Sequence, residues 1–140
     1  MNLSPIVLFV YNRPWHTQQT IKALQKNDLA SKSDLYIFSD GKKTNNDIEV
    51  SNVRSYIKTI TGFKSIKIFE RNENWGLAKN IVDGVSSILA KDKTVIVLED
   101  DIVTSEGFLK YMNDALSIHR TVRLELQPQK IDRKNLLPCS

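Results

Sequence analysis

The chain alternates short apolar runs with segments of helical spacing, and this order constrains its fold more than any other feature. Pro5–Tyr11, Leu35–Phe38, Ser65–Phe69 and Thr94–Leu98 are strand-length and rich in apolar or β-branched residues. Between them lie helical stripes. Pro14 suits the first position of a helix carrying Ile21 and Leu24 to about Lys26. Ile48, Val53, Tyr56, Ile57 and Ile60 form a second stripe that ends at Gly62, and Leu77, Ile81, Val85, Ile88 and Leu89 form a third. Phe108, Leu109, Met112 and Leu116 begin a fourth. A βαβαβαβα order of this kind predicts an α/β fold, a Rossmann-like three-layer sandwich with a mostly parallel sheet and helices on both faces.

One such domain fits a chain of 140 residues. The first 116 residues are expected to form it. Residues 117–140 read differently: they have no clear period, contain Pro128 and Pro138, and predict neither a strong strand nor a strong helix. Five basic residues against two acidic ones place +3 of the chain's net charge of +4 in this tail. The body then lacks the basic stripe with interleaved aromatics that nucleic-acid binding requires. No apolar run approaches the ~18 residues of a membrane span. The N-terminus lacks a signal-peptide pattern, and the lone Cys139 excludes a disulfide framework within one chain. A cytoplasmic setting is expected.

In a parallel sheet all strand C-termini open on one edge, where α/β proteins bind their ligands. Four polar clusters converge there: Tyr11-Asn12-Arg13, Ser39-Asp40-Gly41, Arg71-Asn72 leading into Gly76, and Glu99-Asp100-Asp101. The last follows directly on a strand expected to be fully buried. Carboxylates this close repel unless they share a cation, and a hard divalent ion held by one or two carboxylates plus phosphate oxygens is the usual solution. Asn12 and Arg13 stand at a helix start, which favours anions; the plainer reading is an Asn12 cap and a solvated Arg13. Asp40 can accept a hydrogen bond from a base or ribose, or close a turn before glycine. Gly76 allows close backbone approach, and Lys79, in the first turn of the next helix, can reach a phosphate. His16 and His119 have no Cys or His neighbours. There is no P-loop, no dinucleotide fingerprint after the first strand and no G-x-S-x-G elbow.

Ile6–Pro14, Phe38-Ser39-Asp40-Gly41, Arg71 through Leu77, and Val97 through Ile102 resemble the nucleotide-binding half of GT-A fold glycosyltransferases, in the sense of N-acetylglucosaminyltransferase I-like and family 2-like enzymes. The resemblance runs from about Pro5 to Ala115. It implies a nucleotide-diphosphate sugar donor, a UDP-sugar, and a saccharide or other hydroxyl acceptor. It casts the acidic triplet as a variant D-x-D motif in which Asp101 binds Mn²⁺ or Mg²⁺. Glu99 and Asp100 would face the donor's ribose and sugar. Tyr11, Asn12, Arg13 and Asp40 would line the nucleotide pocket with Gly76, and Lys79 would sit near the pyrophosphate. Nothing after Leu116 resembles the acceptor half or supplies the base, so the expectation is a donor-binding half, truncated by a frameshift or early stop and inactive alone. Two other classes follow from the same residues. One is a non-catalytic nucleotide-sugar-binding or assembly module that self-associates through an incomplete sheet. The other is a Mg²⁺-dependent phosphotransfer domain. Against the latter, Tyr-Asn-Arg-Pro stands where a haloacid-dehalogenase-like site needs D-x-D, and the third strand ends Phe69-Glu70-Arg71 where a receiver needs its aspartate.

Overall fold

The computed structural model describes residues 2–126. Its strands are β1 (Ile6–Val10), β2 (Asp34–Ser39), β3 (Ser65–Glu70) and β4 (Ile96–Glu99). Its α-helices are α1 (Pro14–Gln25), α2 (Ile48–Ile57), α3 (Leu77–Leu89) and α4 (Phe108–Leu126). The strands form one sheet in the order β3-β2-β1-β4, and every pairing is parallel. Ile6 stands in register with Leu35 on one side and Ile96 on the other, which makes β1 an inner strand buried on both faces. The expected α/β architecture is therefore the observed one.

The period of two along the strands sorts the core into two layers. Ile6, Leu8, Val10, Leu35, Ile37, Ile96 and Leu98 point to one face, where they meet Ile21 and Leu24 of α1, Val53 and Ile57 of α2 and Leu109 of α4. Val7, Phe9, Tyr36 and Phe38 point to the other, against Ile81, Val85 and Ile88 of α3. Three helices cover the first face and one covers the second. On that second face Phe9, Phe38 and Phe69 stack across β1, β2 and β3 with centroids 5.5 and 4.8 Å apart.

Three expectations need correction. β4 is not fully buried: it is an edge strand, α3 alone serves its second face, and Val97 remains 40% exposed. Its ladder begins at Ile96 rather than Thr94, where the Ile96 N–H donates to Pro5 O at 2.9 Å. α4 continues to Leu126, ten residues past Leu116, through sequence that shows little apolar patterning. The remainder of the expected tail, residues 127–140, lies outside the described residues. α2 also stops at Ile57, short of the Gly62 that was read as its end.

Candidate functional site

A crevice of about 260 Å³ opens at the C-terminal edge of the sheet. Phe9 and Val10 form its floor. Tyr11, Asn12 and Arg13 line it from the β1–α1 loop, Asp40 and Lys43 from the segment after β2, Asn74, Gly76, Leu77 and Asn80 from the start of α3, and Glu99 and Asp100 from the end of β4. Seven residues expected from sequence thus come together: Tyr11, Asn12, Arg13, Asp40, Gly76, Glu99 and Asp100. Asp101 and Lys79 are not among the lining residues. Asp101 lies on the rim, and the Lys79 ammonium sits 4.6 Å above the Trp75 ring.

The wall on the β2 side is organised by Asp40, which is 4% exposed. One carboxylate oxygen accepts the Gly41 and Trp75 backbone N–H groups, both at 2.8 Å. The other accepts the Gly76 N–H at 3.1 Å and the Asn74 amide at 3.2 Å. A carboxylate has about four lone-pair sites, and here all four are filled from inside the protein. The turn can close because both glycines permit it. A Cβ on Gly41 would stand 2.4 Å from the Glu73 backbone, and Gly76 adopts φ 82°, a left-handed conformation that side chains resist. Arg71 completes this wall. Its Nε donates to Asn80 Oδ1 at 3.0 Å, its Nη2 to Asp83 at 2.7 Å, and its guanidinium stacks 3.9 Å from the Trp75 ring.

The opposite wall is made of charge. Arg13 is partly exposed but paired rather than simply solvated, and Asn12 does not cap the helix: Arg13 itself is the N-cap residue of α1, Pro14 opens the helix, and no side chain caps it. Its Nη2 donates to Asp100 Oδ1 at 2.5 Å and lies 3.8 Å from Asp101 Oδ2. The hydrogen bond that Arg13 donates to Asp100 raises the Arg13 pKa above its ordinary value, burial lowers it, and the charges of Asp100, Asp101 and Glu99 add to the rise. The Asp100 backbone is fixed too, since the buried Thr20 hydroxyl donates to its carbonyl at 2.8 Å. Between the walls, burial raises the Tyr11 pKa, and the nearby Asp47 carboxylate adds to the effect. The phenol is therefore neutral wherever a nucleotide would meet it.

Four contributors escaped the sequence reading. Lys43, Asn74 and Asn80 line the crevice, and Arg54 braces it from α2. Polar side chains near glycine turns are common, so nothing singled out Asn74 or Lys43. Arg54 directly follows Val53 in the buried stripe of α2, and that position at the edge of an apolar stripe was the one available signal.

A divalent metal is compatible with this donor set, but only one shared with a ligand. Among the described residues no group of three or more His, Cys, Asp or Glu side chains is arranged to hold a metal. Asp100 is occupied by Arg13. Asp101, with 53% of its side chain exposed, leaves a carboxylate free at the rim. One or two carboxylates suffice when phosphate oxygens complete the shell.

A parallel sheet in the order β3-β2-β1-β4, with a polar crevice at its C-terminal edge and acids after the fourth strand, has the Rossmann-like architecture of a GT-A half. The sequence matches the family "Glycosyl transferase family 2" over residues 6–124, and the chain belongs to that family. No curated protein matches it. Among solved structures it resembles S. aureus TarS: the TarS 1–349 chain in complex with UDP (TM-score 0.61, 15% identity, 85% of this chain against 33% of that one). It also resembles the longer TarS chain (TM-score 0.58, 16% identity, 83% against 20%). At these identities the likeness is one of fold. The chain spans about a third of the length of TarS 1–349.

Proposed function

We propose that the crevice binds the nucleotide-diphosphate portion of a sugar donor, a UDP-sugar, for glycosyl transfer to an acceptor hydroxyl. The observation that carries this reading is the pairing of a neutral aromatic ring, Tyr11, with an acidic rim across one crevice at the strand ends. Tyr11 offers a face for the base, and the amides of Asn12, Asn74 and Asn80 offer donors and acceptors for base and ribose. Asp100, oriented by Arg13 and Thr20, and the neighbouring Glu99 present acceptors to ribose or sugar hydroxyls. Mn²⁺ or Mg²⁺ held by Asp101 would neutralise the developing charge of the diphosphate leaving group. Lys43 adds a positive charge inside the crevice, and Lys79 would approach the pyrophosphate by leaving the Trp75 ring. The UDP in the TarS 1–349 complex supports the choice of nucleotide.

Calorimetry with UDP and UDP-sugars, with and without Mn²⁺, tests the proposal. Binding that needs the metal and disappears in Asp101→Ala is the expected result. A chain that binds no nucleotide under either condition would overturn it.

A further inference from the structure

Arg54 lies on α2, does not line the crevice, and still makes four side-chain hydrogen bonds to the crevice's framework, as many as the Asp40 carboxylate that lines it. Its Nη2 donates to Arg71 O at 2.8 Å, to Asp40 O at 3.1 Å and to Ser39 O at 3.3 Å. Its Nε donates to Ser39 Oγ at 3.0 Å, and its Nη1 lies 3.9 Å from Glu70 Oε1. Two hydrogens on Nη2 serve three carbonyls, so at least one of these bonds is shared. Ser39 O also accepts the Arg71 N–H at 2.9 Å, whereas Asp40 O and Arg71 O lie just past the ends of β2 and β3, where the sheet ladder stops supplying partners, and a buried carbonyl without a partner is costly. Only a planar fork fits such a cluster. A lysine ammonium is a point charge that cannot address both the Ser39 hydroxyl and the carbonyls from one place.

We propose that Arg54 is a positioning residue for the nucleotide crevice. It acts through Asp40 on the turn at residues 74–76, and its effect on ligand binding rests on the nucleotide reading above. The contacts form a closed circuit. Arg54 holds the backbone of Asp40 and Arg71; the Asp40 carboxylate holds Asn74, Trp75 and Gly76; the Arg71 guanidinium stacks back on Trp75. Releasing Arg54 frees the ends of β2 and β3 to move apart, and the wall that carries Asn74, Gly76, Leu77 and Asn80 moves with them.

The chain contains two tryptophans, and Trp15→Phe leaves Trp75 as the reporter. In that background, Arg54→Ala is expected to shift Trp75 emission to the red without ligand and to weaken UDP binding about tenfold, the scale of one or two lost charge-assisted hydrogen bonds. Guanidinium ion at low millimolar concentration should restore both signals, whereas Arg54→Lys, which keeps the charge but not the fork, should restore neither. A folded Arg54→Ala chain with unchanged Trp75 emission and UDP affinity would overturn the proposal, as would wild-type affinity in Arg54→Lys. Should Arg54→Ala fail to fold, Ser39→Ala removes a single contact of the fork. It is expected to weaken UDP binding about threefold, and unchanged affinity would count against the clamp. If the unsubstituted chain binds no UDP, the nucleotide reading falls by itself. Trp75 emission still decides the clamp, which an unshifted spectrum overturns.

Discussion

On the β2 side of the crevice every carboxylate lone pair is filled from within the protein, whereas on the β4 side three neighbouring acids have one arginine among them. Asp40 meets four donors at 2.8–3.2 Å. Asp100 and Asp101 divide Arg13 between them at 2.5 and 3.8 Å, and Asp101 is half exposed. The difference separates shape from charge. The first wall is complete without a ligand and sets the geometry into which a ligand must fit. The second carries an excess of negative charge that a cation arriving with a diphosphate would relieve. Mutations in the first wall should cost stability and binding together, and mutations in the second should cost binding with little loss of stability.

The sharpest way to break this contrast is Asp40→Ala. It strands the Gly41, Trp75 and Gly76 amides, and urea denaturation should show a loss of about 3 kcal/mol, with UDP binding abolished in calorimetry. A loss below 1 kcal/mol would mean that the wall does not depend on its carboxylate. Arg13→Met comes next. It leaves the buried Asp100 without its partner, but Arg13 is 44% exposed and water screens part of the interaction. The expected loss is about 1–2 kcal/mol, and UDP binding in the presence of Mn²⁺ should weaken as Asp100 loses the partner that orients it. Asp101→Ala should leave the stability measured by urea denaturation within about 0.5 kcal/mol of the unsubstituted chain while abolishing Mn²⁺-dependent UDP binding. A strongly destabilised Asp101→Ala chain would collapse the distinction between the walls.

The smallest effect concerns alkaline pH. Burial raises the pKa values of Tyr11, Tyr36 and Tyr56 above the model-peptide value of 10.0. Between the unfolded and folded pKa values the native chain then holds more protons than the unfolded one, so stability falls as pH rises. The contribution is complete below pH 10 and is lost as each phenol ionises in the folded chain. Tyr56→Phe should flatten the decline in thermal midpoint above pH 10. An equally steep decline in that variant would place the cause elsewhere.

Much of the scaffold could be read from the residues because its determinants are local. Runs such as Ile6–Val10 and Leu35–Phe38 have few alternatives to a buried strand, and the α3 stripe from Leu77 to Leu89 is unambiguous. The lining of the crevice was legible for the same reason: parallel topology sends every post-strand cluster to one edge. The burial of β4 was misread because Thr94–Leu98 is apolar in composition, and composition does not tell how many helices will cover a face. Arg54 was invisible because its meaning depends on carbonyls 14 to 17 residues away that become neighbours only once the β2–α2–β3 crossover has formed. The same holds for Asp40. A turn aspartate before glycine looks ordinary until residues 74–76, more than 30 positions later, fold back onto it.

The placement of β1 has a consequence for how the chain is made. Ile6–Val10 is synthesised well before its partner on one side, Ile96–Glu99, which comes about 90 residues later. At typical synthesis rates of about 5–20 residues per second, this delay is on the order of ten seconds. Throughout it, the stretch Ile-Val-Leu-Phe-Val has no neighbour along that edge and carries no charge to discourage a wrong one. The strand that later becomes the middle of the sheet thus waits with an apolar, open edge while the chain is made.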